Sequence, residues 1–302
     1  MKKSLICAAL FLLMVFATFS QKRSKTNLAK AKPIVFAVLN DGKTLEPIAN
    51  IENGNLVEKG SSDDAENALK EFVKTYYKPK TNYDLIFGGG VAGKVLVGKP
   101  NSNSDCAANL ADITTTSAKA KLKGLIMGLA TNSKSKKPGS GVRRLPTAVE
   151  RTEIEKLVRN EFGKEKIASK VLNNLKYHNL TAIDSNNDTE VELVGSYWVP
   201  TSTTERALLF FIAEKDKSGK YKFGFKEFQS IKQDDVISGE IKDLDNGILH
   251  ELLLDIFDTD GDGVSEIFTI DQAFEGNNFN VYKRDKDEWS KILETYNYHC
   301  GY

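Results

Sequence analysis

Residues 252–270 read Leu-Leu-Leu-Asp-Ile-Phe-Asp-Thr-Asp-Gly-Asp-Gly-Val-Ser-Glu-Ile-Phe-Thr-Ile, an apolar run, an acidic bend and a second apolar run. Asp258, Asp260, Asp262 and Glu266 hold positions 1, 3, 5 and 9 of a nine-residue loop, and Gly263 at position 6 permits the sharp turn that lets them converge. Carboxylates gathered this closely repel one another until a cation neutralises them. The expected guest is a hard cation with oxygen ligands, and calcium is favoured over magnesium because it tolerates irregular, higher-number coordination. The Val264 carbonyl at position 7 and water would complete the shell. An EF-hand starts the same way but needs a glutamate at position 12 and a helix on each side. Here position 12 is Thr269 and both flanks read as strands.

The arrangement resembles the strand–loop–strand calcium loops of FG-GAP and VCBS-type repeats, which read apolar strand, DxDGDGxxE, apolar strand. The resemblance covers about residues 250–296. It implies calcium held by Asp258, Asp260, Asp262, the Val264 carbonyl and Glu266. An eroded copy lies 74 residues upstream, where Asp184, Asn186, Asp188 and Glu192 align with Asp258, Asp260, Asp262 and Glu266. Thr189 replaces the position-6 glycine and one carboxylate has become an amide, both of which weaken metal binding. Two such units cannot close a propeller, which takes at least four blades, so the partner binding of propeller members does not transfer.

The start of the chain reads as an address. Lys2 and Lys3 precede the apolar run Leu5–Phe19, with Thr18 and Ser20 small enough for a signal peptidase, so residues 1–20 are expected to be a cleaved signal peptide. The run is too short for the roughly 20 residues of a spanning helix, and no other segment qualifies, so no membrane span is expected after cleavage. The protein is expected to be secreted or periplasmic. Cleavage removes two lysines, leaving 40 basic against 41 acidic residues, a balance with no net pull toward nucleic acid. It also removes Cys7, leaving Cys106 and Cys300 as either one disulfide or two unpaired thiols.

Between these landmarks the pattern predicts an α+β chain. Residues 21–32 read as a flexible leader, 33–130 as a small N-terminal α+β domain, 131–144 (rich in Ser, Lys and Gly) as a linker, and 145–302 as a mainly antiparallel β domain opening with a helix. The N-terminal part is expected to hold a hairpin, a helix over 64–76 and strands around the glycines of 88–90. Thr147 with Glu150 is a capping box. After it the pattern predicts strands at 177–183, 191–199, 206–214, 220–231, 248–257, 264–273, 278–284 and 288–295.

Several features invite other readings. Gly88 to Val95 nearly matches a phosphate-binding loop, but Val95 stands where a hydroxyl is required, and the run Val95-Leu-Val is strand-like rather than the start of a helix. His178, His250 and His299 each stand apart from any nucleophile motif, and a packing role is expected for the first two. Tyr197, Trp198, Phe210, Phe211 and Trp289 could line a glycan-binding face, but aromatic residues on strands are more often core. The expected role is non-catalytic, a calcium-stabilised structural or binding domain whose partner is an extracellular protein or glycan. The alternatives are a secreted hydrolase with a site assembled from distant residues, or a glycan- or protein-binding module.

Overall fold

The computed structural model describes residues 31–58, 65–100, 109–134 and 139–299. The expected signal peptide, Cys106 and Cys300 lie outside them. The chain is mostly β, and no helix among the described residues is long and apolar enough to cross a membrane.

Strand β1 (Ile34–Leu39) turns through Asn40, Asp41 and Gly42, all at positive φ, into β2 (Thr44–Glu52), and β3 (Asn55–Val57) folds back on β2. Helix α1 (Ala65–Tyr76) leads to β4 (Asn82–Phe87), β5 (Gly90–Pro100), β6 (Ala111–Ser117) and β7 (Gly128–Thr131). The antiparallel order is β1-β7-β4-β5-β6-β2, and β2 pairs again with β1, so the six strands close into a small barrel. Its inside is filled by Ile34, Phe36, Val38, Tyr83, Val95 and Val97, and Phe72, Val73, Tyr76 and Tyr77 at the end of α1 pack into this core. The alternate residues Val35, Ala37 and Leu39 belong to a different core outside the barrel. Burial on both faces explains why β1 is uniformly apolar rather than alternating.

That second core is shared with the C-terminal part. There β8 (Arg143–Arg144) precedes α2 (Ala148–Lys164), and β9 (Lys176–Ile183), β10 (Glu192–Pro200), β11 (Glu205–Lys215) and β12 (Tyr221–Lys232) form a five-stranded sheet in the order β12-β11-β10-β9-β8. Strands β13 (Glu251–Phe257), β14 (Glu266–Ala273), β15 (Gly276–Asp285) and β16 (Glu288–Tyr298) come next as a four-stranded meander. One face of this meander, with Leu252, Leu254, Phe268 and Phe279, packs on the outside of the barrel. Leu253, Ile256, Ile267, Tyr282 and Trp289 pack against Ile183, Val194, Phe210 and Ile212 of the five-stranded sheet. Helix α2 covers the far side of that sheet through Ile154, Val158 and Phe162. Thr147 caps it as the sequence predicts, accepting from the Glu150 N–H while the Glu150 carboxylate accepts from the Thr147 N–H.

The corner where barrel and meander meet is polar. The β13–β14 register slips between Leu253 and Asp255, and such a bulge re-aims a side chain. Asp255, fully buried, receives the N–H groups of Gly88 and Gly89 at 3.1 and 3.0 Å. Both glycines lie at positive φ. The phosphate-loop look-alike thus turns its N–H groups on a carboxylate of the protein itself. Arg143 donates to Asp255 Oδ2 at 2.7 Å and to the carbonyls of Leu254 and Met127. Burial pushes the Asp255 carboxyl up, and Arg143 and the backbone N–H groups oppose that rise.

Removing one member of a buried ion pair strands the other charge at a cost of about 3–5 kcal/mol. Asp255→Ala is expected to lower the unfolding free energy by that order, read from urea denaturation. A loss within the ordinary range of a surface substitution, about 0.5 kcal/mol, would show that the corner carries no such load.

Candidate metal centre

Strands β13 and β14 hold the ends of the 258–266 loop at adjacent positions, Phe257 opposite Glu266. Each acidic side chain then ties down a specific part of the bend. Asp258 accepts from the N–H groups of Gly261 (2.6 Å) and Gly263 (3.1 Å). Asp260 accepts from Asp262 N–H at 3.0 Å, and Asp262 from Val264 N–H at 2.8 Å. Glu266 Oε2 accepts from Thr259 N–H and Oγ1, both at 2.9 Å. Gly261 and Gly263 lie at φ 81° and 100°, where a side chain is strained. The bend brings oxygens of Asp258, Asp260 and Asp262 within 4.8 Å of one another.

A lysine faces the same oxygens. Lys283 Nζ, from β15, lies 2.5 Å from Asp260, 2.9 Å from Asp262 and 3.1 Å from Glu266. Burial raises the Asp258 carboxyl, as do the charges of Asp262 and Asp260, against the Gly261 and Gly263 N–H groups. Burial also works against charge on Asp260, but Lys283 and the Asp262 N–H bring that carboxyl below its ordinary value. Glu266 is raised by burial despite Thr259 and Lys283. The Val264 N–H is engaged by Asp262.

The 184–192 loop, between β9 and β10, repeats four of these bonds. Asp184 accepts from Thr189 N–H at 3.3 Å, Asn186 from Asp188 N–H at 3.1 Å, Asp188 from Glu190 N–H at 2.8 Å, and Glu192 from Ser185 N–H at 3.0 Å. Asn187 and Thr189 sit at φ 61° and 74°, at the positions of Gly261 and Gly263. The two loops touch, Ser265 N–H donating to the Ser185 carbonyl at 2.7 Å. Asp184 Oδ1 is buried without a hydrogen-bond partner, and burial pushes the Glu192 carboxyl up to about 7.

Lys283 does not stand out by its residue type, yet a signal for it exists. The β14–β15 hairpin pairs Ile267 with Tyr282, so the next step along puts Lys283 beside Glu266. The histidines of the strands leading to the loops are packing groups. His178 stacks flat on Trp198 with ring centres 5.6 Å apart, and His250 meets His178 edge-on at 4.4 Å. His299 pairs with the buried Glu46 of β2 at 2.7 Å. Of the expected aromatic residues, Tyr197 and Phe211 lie in the core against α2, Phe210 and Trp289 in the core between the sheets, and Trp198 in a small core with Val236, Ile241 and Leu244. No family model matches the chain, and no curated protein or solved structure matches it.

Burial, and then the neighbouring His178, push His250 down to about 3. An unfolded histidine titrates near 6.5. Between those values the unfolded chain takes up a proton that the folded chain refuses. Stability that is full above about pH 6.5 is therefore lost progressively toward pH 3, by about 2 kcal/mol at pH 5 from this group alone. Urea midpoints at neutral pH and at about pH 5 are expected to differ less in His250→Gln than in the unaltered protein. Subtracting the two isolates this group from buried carboxyls, which titrate in the opposite sense. Equal changes in both proteins would rule the effect out.

Proposed function

We propose that this chain is an exported protein in which calcium, bound by the 258–266 loop, pins the ends of the C-terminal strands of a structural or binding domain. The single observation that carries the reading is the convergence of Asp258, Asp260 and Asp262 within 4.8 Å at a strand–loop–strand bend. Asp258, Asp260, Asp262, the Val264 carbonyl and Glu266 are the ligands of this reading. Asp184, Asn186, Asp188 and Glu192 form a weaker second site, and their matching hydrogen bonds support the view that the two loops are copies of one unit. Cleavage of residues 1–20, an N-terminal α+β unit and a β-rich C-terminal unit belong to the same proposal, as does a partner of extracellular protein or glycan character.

A second reading rests on Lys283. Its ammonium already contacts Asp260, Asp262 and Glu266, so in this reading the lysine itself is the loop's cation and no metal is bound. In the first reading calcium displaces a side chain that is only partly buried, and Lys283 swings to solvent. The hydrolase alternative draws on Ser196 Oγ, 3.4 Å from His250 Nδ1. Burial pushes His250 down to about 3, too low for a base that activates a nucleophile near neutrality, so that alternative is the weakest.

Extracellular calcium modules bind with roughly 10⁻⁴–10⁻³ M affinity. At about ten times Kd, mass action adds about 1.4 kcal/mol, which moves the melting midpoint by roughly 2–3 °C for a chain of this size. Calcium is expected to raise the midpoint by that amount, Asp260→Ala with Asp262→Ala to abolish the shift, and Lys283→Met to enlarge it. If neither the unaltered protein nor Lys283→Met responds to calcium, the lysine is the loop's cation and the metal reading is lost.

A further inference from the structure

At the opposite end of β13 from the acidic loop, the two sheets part around a cavity of about 140 Å³. Seven residues of strand at about 3.3 Å each set it roughly 20 Å from the loop. Its floor is built from cross-strand neighbours of the meander. Glu251 on β13 stands opposite Asp271 on β14, and Asn280 on β15 lies one row along, opposite Thr269. Like charges placed directly opposite on a sheet destabilise it, so this pair calls for a counterweight. Glu251 Oε1 receives the hydroxyls of Thr269 (2.5 Å) and Tyr282 (2.7 Å). Two oxygens of the floor are left over. Asn280, only 5% exposed, has an Oδ1 with no hydrogen-bond partner, and the buried Oδ1 of Asp271 has none either, although the Asn278 side chain opposite engages the Asp271 carboxylate. Both are acceptors that lack a donor.

The other walls say what kind of donor fits. Leu208 and Phe210 of β11 face the floor as an apolar surface. Glu227 and Glu294 stand at the more exposed rim, and the cavity's single cation, Lys291, is engaged by them at 3.6 and 3.3 Å. Four acids therefore face one base, and the base is held at the mouth rather than at the floor. Behind Ser196, which also lines the cavity, His250 is held neutral by burial and adds no charge. A divalent metal is poorly matched, because among the described residues only Asp258, Asp260 and Asp262 bring three acidic ligand atoms within 4.8 Å. A sugar would leave the surplus negative charge unanswered.

We propose that this inter-sheet cavity is a binding site for a small primary alkylammonium ion, its head on Glu251, Asp271 and the Asn280 carbonyl and its alkyl chain on Leu208 and Phe210. The volume is close to the roughly 150 Å³ cavity that accommodates benzene, so about six non-hydrogen atoms fit. Burial pushes Glu251 up to about 7 and Asp271 up to about 6, so below about pH 6 protons occupy the carboxylates that an ammonium would face. The incoming ammonium expels them, and binding strengthens as pH rises through those values. The site is independent of the proposed calcium loop.

Calorimetric titration of the full chain with n-butylammonium tests this, with n-butanol, glucose and calcium chloride as comparison ligands. One equivalent of the amine is expected to bind at about pH 8 and at least about tenfold more weakly at about pH 5, with proton release at about pH 6 seen as a heat that depends on the buffer's ionisation enthalpy. Glu251→Gln and Asp271→Asn are each expected to weaken binding about tenfold or more while leaving the calcium response of the 258–266 loop as it was. Lys291→Met, at the rim, is expected to tighten it by removing a competing cation. Absence of binding in both the unaltered protein and Lys291→Met would overturn the proposal. So would equal binding of n-butanol, or an affinity unchanged in folded Asp271→Asn.

Discussion

A buried carboxylate holds the layers of this molecule in register. Asp255 leaves the meander at a bulge and meets the Gly88 and Gly89 N–H groups of the barrel, while Arg143 closes the triangle from β8. All three lie out of water, with the side chains of Arg143 and Asp255 only 5% and 0% exposed. Hydrophobic contact between two sheets is tolerant of sliding, because apolar area is non-directional. A desolvated ion pair with two directed N–H bonds is not, since any shift leaves a charge or a donor unanswered. The apolar stack of barrel, meander, five-stranded sheet and α2 supplies cohesion, and this corner supplies position.

That positioning bears on both acidic sites, because both are built on the same meander. The 258–266 loop begins three residues beyond Asp255 and rests on the barrel, where Thr259 Oγ1 reaches the Gly54 carbonyl at 3.4 Å. Its neighbour at 184–192 is tied to it through Ser265 and Ser185. Second contacts fasten the far edge of the meander to the barrel. Asn277 donates to the buried Glu46 at 2.7 Å and Asn297 to the Pro47 carbonyl at 2.9 Å. The meander is thus gripped on its first strand and on its last two, which leaves its loop end and its cavity end as the places where polar groups can gather.

The strands were legible because their signal is local. Alternation and turn residues place the elements from 177 onward, and the observed strands fall within a few residues of the expected ranges, as β9 at Lys176–Ile183 and β11 at Glu205–Lys215 show. The capping box at Thr147 was legible for the same reason. The barrel was not, since closure depends on β1 pairing with both β2 and β7, and Val35 lies opposite Thr131 across 96 residues of chain. The uniform apolarity of β1 signals burial on both faces but does not name the surface that covers them. The acidic loop was visible as a motif, whereas its lysine counterion is visible only once the hairpin register is known. The cavity was invisible, because Glu251, Asp271 and Asn280 are scattered polar residues until three strands set them side by side.

The two acidic clusters answer the same electrostatic problem differently, and depth explains the difference. At the loop, Asp260 and Asp262 keep contact with solvent, with side chains 32% and 43% exposed. Charge there is cheap to maintain, so a nearby ammonium settles onto it. In the cavity burial works against charge on Glu251, so a charged carboxylate costs more than a protonated one. The nearest lysine, Lys291, sits with the more exposed Glu227 and Glu294 instead. A cation arriving at the loop must compete with a tethered side chain, whose effective concentration is fixed by the fold and independent of pH in the neutral range. A cation arriving at the cavity competes with protons, whose concentration the surroundings set. If both proposals hold, one meander carries two sites that answer to different competitors, a tethered lysine at one end and protons at the other.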